Sequence, residues 1–173
     1  MKIAPVTKII QSVLRPIMLF LLAAVLAGSA IPAGGQSAYA EKIKQAMQAM
    51  KDGAAKLGAP KTEGASLFFG ATRMNGDYTI VDDLQTRFNC TATFFVKKGT
   101  NYVRISTNVL NDGNRAVGTV LNPAGPAFAA ISQGTTFYGK VDILGKQYDT
   151  GYEPVKNAAG DTIGVYYVGF LLE

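Results

Sequence analysis

The chain has no histidine, no tryptophan and one cysteine. Without histidine it lacks the commonest general base near neutral pH and the commonest transition-metal ligand. A single cysteine, Cys90, excludes an internal disulfide and any Cys-x-x-Cys pair. It precedes a β-rich run with no basic partner beside it, which reads as a buried, inert thiol. No nucleophile elbow, phosphate-cradling glycine loop or metal box is spelled. Gly113 and Gly118 are separate punctuation. Asp149 and Glu153 are four apart in a strand-like run, so roughly 13 Å apart, wider than glycosidases hold their acids. They read as structural or binding residues. These absences set the expectation of a non-enzyme with no metal and no cofactor.

Excess charge is scarce as well. The formal net charge is +5, but Lys2, Lys8 and Arg15 lie ahead of every acidic residue. Beyond residue 40, 14 basic residues face 12 acidic ones. That balance gives no footprint for nucleic acid. Length 173, with 10% aromatic and 17% charged residues, fits one ordinary domain with a packed core.

Residues 1–40 read as an export signal. A basic n-region carries Lys2, Lys8 and Arg15, and Ile17 to Leu26 is unbroken apolar sequence. Pro32, Gly34 and Gly35 break it, and Ala38-Tyr39-Ala40 offers the small residues a signal peptidase reads. Cleavage there would start the chain at Glu41 and release it to the periplasm or outside. The alternative is an uncleaved inner-membrane anchor through residues 9–31.

Residues 41–58 read as an amphipathic helix. Ile43, Ala46, Met47, Met50, Ala54 and Leu57 form one stripe, and Gly58 and Pro60 end it. The stripe either lies on the chain's own sheet or forms a dimer. Residues 59–173 then form the main domain. Asn75-Gly76 predicts a hairpin between Ser66–Arg73 and Asp77–Val81. Asp82 is expected to cap a short helix through Phe88. Thr91–Val96 and Tyr102–Asn108 read as strands around Lys97-Lys98-Gly99, and Pro126–Ser132 as a short helix.

The stretch Thr136–Phe170 spells a three-stranded meander, with turns at Leu144-Gly145-Lys146 and Asn157–Asp161. Five of the eight tyrosines lie in it: Tyr138, Tyr148, Tyr152, Tyr166 and Tyr167. Alternation sets Tyr148, Thr150 and Tyr152 on one face. Such a face suits a pocket for a small polar ligand, or plain sheet packing. In the strand before it, alternation puts Tyr102, Arg104, Ser106 and Asn108 on one side and Val103, Ile105 and Thr107 on the other. The Arg104 guanidinium is a fixed fork of donors suited to a carboxylate; the plainer reading is an exposed surface ion pair.

Three runs resemble one family: PKTEGASLFFGATRMNGDYTIVD, FVKKGTNYVRISTNVLNDGNRAVGTVLNPAGPAFAAISQG and TFYGKVDILGKQYDTGYEPVKNAAGDTIGVYYVG. They resemble Cache 3/Cache 2 fusion domains, the extracytoplasmic PAS-like sensors of bacterial chemoreceptors and sensor kinases. The resemblance spans about residues 59–170. It implies an α+β fold, an antiparallel sheet of five to six strands with an N-terminal helix and short flanking helices. It also implies a pocket for a small organic ligand, a short carboxylate above all, used in chemotaxis or other signal transduction. Arg104 matches the arginine of the family's VRxSTN motif, followed by Thr107. Tyr138 matches the aromatic before the motif glycine, and Tyr148, Thr150 and Tyr152 match the hydroxyl face of YxTGYEP. Asp149 stands where an apolar residue is expected. Family receptors continue into a second membrane span and a signalling module, so this chain is expected to pass its state to a membrane receptor or sensor kinase. The alternative is a structural protein that dimerises or docks through its N-terminal helix.

Overall fold

The computed structural model describes residues 39–172. The export-signal reading for residues 1–40 lies outside the described residues, apart from its last two positions. Helix α1 (Ala40–Leu57) opens the domain, and its first turn closes with Ile43 N–H donating to Tyr39 C=O at 2.8 Å. A small sheet follows: β1 (Pro60–Glu63), β2 (Ser66–Phe69) and β3 (Thr72–Arg73). Then come α2 (Thr79–Phe88), β4 (Thr91–Lys98), β5 (Asn101–Thr107) and the two-residue strands β6 (Leu110–Asn111) and β7 (Asn114–Arg115). Helix α3 (Pro126–Ser132) leads to the meander β8 (Phe137–Ile143), β9 (Lys146–Lys156) and β10 (Thr162–Leu171).

The main sheet has five antiparallel strands in the order β5-β4-β10-β9-β8. The central strand β10 is covered on both faces, so eight consecutive residues from Ile163 to Phe170 are buried. On one face lies α1. Its stripe of Ile43, Met47, Met50 and Ala54 packs with Phe94, Tyr166 and Val168. Met47 and Met50 are buried there, so of the two roles open to the stripe the described fold shows packing on the chain's own sheet. On the other face, α3 and the segment from Val109 to Leu121 cover Phe95, Val165, Tyr152 and Tyr167. The α1 end meets the β2–β3 turn at a glycine pair. A Cβ on Gly58 would fall 2.7 Å from the Gly70 Cα, and one on Gly70 only 2.1 Å from the Leu57 carbonyl oxygen.

The hairpin predicted at Asn75-Gly76 is not formed. Thr79 to Phe88 is helical instead, because Val81 and Leu84 share one buried face, and Asp77 Oδ1 accepts the Thr79 N–H at 2.9 Å. The helix therefore begins three residues before the predicted cap, Asp82. Asn75 is a local clasp: it accepts from Leu67 N–H at 3.0 Å and donates to the Ala65 carbonyl at 3.2 Å.

A β-bulge changes the faces of β5. Phe95 pairs with Arg104, but the next partner, Phe94, pairs with Ser106, so Ile105 is an extra residue. Beyond it the alternation reverses. Ser106 and Asn108 turn toward the α1–α2 side, where Ser106 Oγ donates to Asp77 C=O at 2.5 Å and Asn108 Nδ2 to Val81 C=O at 2.6 Å. Thr107, expected opposite Arg104, shares its face instead.

Candidate functional site

A cavity of about 380 Å³ lies on the face away from α1. Arg104 and Tyr152 form part of its lining, with the Val120–Asn122 segment, the start of α3 and the β8 edge around them. Arg104 is 4% exposed. Its backbone is held on the outer edge by a non-regular strip: Arg104 N–H donates to Thr119 C=O at 2.8 Å, and Gly118 N–H to Arg104 C=O at 2.8 Å. Its side chain lies over the Phe95 ring, 5.0 Å from guanidinium carbon to centroid. Nη1 donates to Thr119 Oγ1 at 2.5 Å. Nε is buried with no hydrogen-bond partner. None of the ion pairs among the described residues includes Arg104.

Burial pushes the guanidinium below its ordinary range, and the phenol oxygens of Tyr167 and Tyr152 partly offset that. An arginine still keeps its charge. The site thus presents a desolvated cation with a free donor and no acid within ion-pair distance, with Lys140 and Asp142 further along the cavity lining; such a guanidinium favours an anion. Tyr152 is buried at the same place, 4.8 Å from the Tyr167 ring, and burial raises its phenol well above the usual range. It stays a neutral hydroxyl. Tyr167 is occupied, its hydroxyl 2.9 Å from Thr91 Oγ1.

The structure sorts the other expected site residues. Tyr148 shares the apolar layer of Tyr152 and Tyr167. Thr150 is buried, and its hydroxyl donates to Gly139 C=O at 2.6 Å. Thr107 Oγ1 lies 2.6 Å from Thr93 Oγ1 and accepts Val109 N–H at 3.0 Å, which pins the end of β5. Tyr138 is on the opposite, α1 side. Its hydroxyl donates to Glu153 Oε1 at 2.6 Å, and Lys51 Nζ holds Glu153 Oε2 at 2.8 Å. Arg104 and Tyr152 converge; Tyr138 is apart from them. Asp149, also on the α1 side, is 2% exposed and leaves Oδ2 unpartnered. Sequence reasoning missed Thr119 and Phe95. Phe95 was legible only as strand, and Thr119 only as a short extended piece.

A five-stranded antiparallel sheet with a long helix on one face and an arginine-floored cavity on the other defines a PAS-like α+β sensor module. The chain belongs to the Cache 3/Cache 2 fusion domain family, whose model matches residues 35–173. Cache domains are extracellular sensors and in general not enzymes. No curated protein and no solved structure matches the chain. No helix among the described residues is long and apolar enough to cross a membrane.

Proposed function

We propose that the protein is an exported sensor domain that binds a small organic anion, a carboxylate, and signals through a membrane partner. The supporting observation is the Arg104 guanidinium, buried at the cavity with Nε unpartnered and no acid paired to it. Leaving such a group unsatisfied costs several kcal/mol, and a carboxylate supplies both charge and acceptors. Tyr152 adds a neutral donor. Tyr148 packs in the same apolar layer as Tyr152, while Thr107 and Thr150 pin strands through their hydroxyls and do not line the cavity. The segment from Asn108 to Gly134 covers the cavity, so ligand contacts there bias its position and carry the signal outward. The partner is a membrane receptor or sensor kinase, and the compartment is the periplasm or the exterior.

Titration calorimetry with acetate, propionate, pyruvate, lactate and succinate tests this reading. At least one binds wild type, and Arg104→Ala abolishes that heat. Equal binding by wild type and Arg104→Ala overturns the role of Arg104.

A further inference from the structure

We propose a second binding site, on the α1 face of the sheet, for a methylated ammonium group, with the Asp149 carboxylate as its counter-charge. The anion pocket lies on the other face, and this site does not depend on it.

The first argument is an orphaned acid. Asp149 stands where an apolar residue is expected, yet it is 2% exposed on β9. Its Oδ2 is sealed from solvent without a partner; Oδ1 is not sealed, so it is the oxygen a ligand meets first. Among the described residues no hydrogen bond and no ion pair includes Asp149. The charges around it are matched elsewhere. Lys44 pairs with Glu41 at 3.0 Å, and Lys51 with Glu153 at 2.8 Å. Lys140, the direct cross-strand partner on β8, is exposed at the sheet edge and makes no ion pair among the described residues. A carboxylate buried in this way favours a cation.

The second argument is the space beside it. A cavity of about 220 Å³ lies between the first turn of α1 and strands β8 and β9, and Asp149 lines it. Ala40, Ile43 and Lys44 wall it on the helix side, and Tyr138 on the β8 side. Tyr138 and Ile43 meet over Gly151, where a Cβ would fall 2.6 Å from the tyrosine Cε1 and 2.8 Å from the isoleucine Cγ2. On β10 the residue opposite Asp149 is Phe170. The acid therefore sits among hydrocarbon and aromatic groups.

The third argument is which cation fits. A hard metal ion takes about six oxygens, and no group of acidic or cysteine side chains among the described residues could hold one. A primary ammonium needs an acceptor for each of its N–H donors. The nearby polar groups are engaged: the Tyr138 hydroxyl donates to Glu153 Oε1 at 2.6 Å, and Gly139 C=O accepts from Thr150 Oγ1 at 2.6 Å. A quaternary ammonium has no N–H to satisfy. It needs one carboxylate for its charge and an apolar, aromatic wall for its methyl groups. At water's share of about 30 Å³ per molecule, the cavity holds about seven heavy atoms, the size of choline.

The test is titration calorimetry of the purified protein with choline, tetramethylammonium and ethanolamine. Choline is expected to bind at least about tenfold more tightly than ethanolamine. Asp149→Asn should weaken choline at least about tenfold, and Tyr138→Leu about threefold by removing the ring. Arg104→Ala should leave choline binding within about twofold. Free choline and phosphatidylcholine headgroups carry the same group. Sedimentation with phosphatidylcholine vesicles, reversed by choline, assigns the headgroup, and choline heat without sedimentation assigns the free solute. Ethanolamine binding as well as choline overturns the methylated-ammonium assignment. Choline heat that survives Asp149→Asn overturns the role of Asp149; where that variant does not fold, the ligand order in wild type and the Tyr138→Leu loss decide. No choline heat in wild type or in Lys140→Met, which removes the competing lysine, overturns the site and leaves the anion pocket standing.

Discussion

Arg104 and Phe95 are direct cross-strand partners, and the guanidinium carbon lies 5.0 Å from the ring centroid. The pair sits beside the Ile105 bulge, so a local kink in β5 sets the aim of the arginine. The ring gives the cation a flat, apolar seat and a modest cation–π attraction. It does not give it a counter-charge.

Arg104→Met should therefore stabilise the ligand-free fold. Replacing an unpaired buried charge with an apolar side chain of similar length gains about 1–4 kcal/mol. The same variant should lose any ligand-induced rise in melting temperature. Denaturant melts with and without ligand check both halves.

Tyr152→Phe and Tyr138→Phe separate the two faces of the sheet. Tyr152→Phe removes a hydroxyl from the cavity wall and should weaken ligand binding about tenfold, for one lost hydrogen bond to a charged group. Tyr138→Phe breaks the 2.6 Å bond to Glu153 under α1. It should cost about 1 kcal/mol of stability and leave affinity within about twofold.

Leu144 has φ of 54° in a turn position where asparagine is the common choice. A leucine there is strained, by about 1–2 kcal/mol. It also lines the cavity and is 45% exposed. Leu144→Asn should stabilise the fold by about 1 kcal/mol and weaken binding, as expected where strain serves a site. Paired unfolding and binding curves on one variant read both.

Alkaline pH should unfold the domain early. Burial raises the Cys90 thiol from 9.0 to about 12 and lifts the phenols of Tyr152 and Tyr167 above their ordinary 10.0. The folded state holds these protons more tightly than the unfolded one. Their contribution is whole below about pH 9 and falls as pH rises through the folded values. Urea midpoints should hold to about pH 9 and fall steadily from there to about pH 11. A flat profile contradicts the burial of these groups.

Met50→Ala should cost about 2–5 kcal/mol, the price of a cavity in a packed core. Met50 is fully buried between α1 and the sheet. A methionine held out for a partner would tolerate the change.

The meander, α1 and α3 were legible because their signals are local: glycine turns, a 3.6-residue stripe, and proline at a helix start. Arg104 stood out by its chemistry and its motif. What escaped was non-local. The α2 start lost to the Asn75-Gly76 turn signal, since only packing of Val81 and Leu84 shows which period wins. The Ile105 bulge has no glycine to mark it, yet it moved Ser106, Thr107 and Asn108 to the faces opposite those expected. Tyr138 was grouped with Tyr152 by motif, although the two come from different strands with opposite pleats. Thr119 meets Arg104 through a loop whose path no short window specifies.

Tyr39 stacks on Phe170, with ring centroids 5.0 Å apart and planes 8° from parallel. One ring belongs to the lead-in of the long helix and the other to the last turn of the central strand's path. The polypeptide thus enters and leaves the domain through a single aromatic clasp. A shift of the central strand against the helix has to slide or part these two rings, so the stack ties the start of the helix to the end of the strand it packs on.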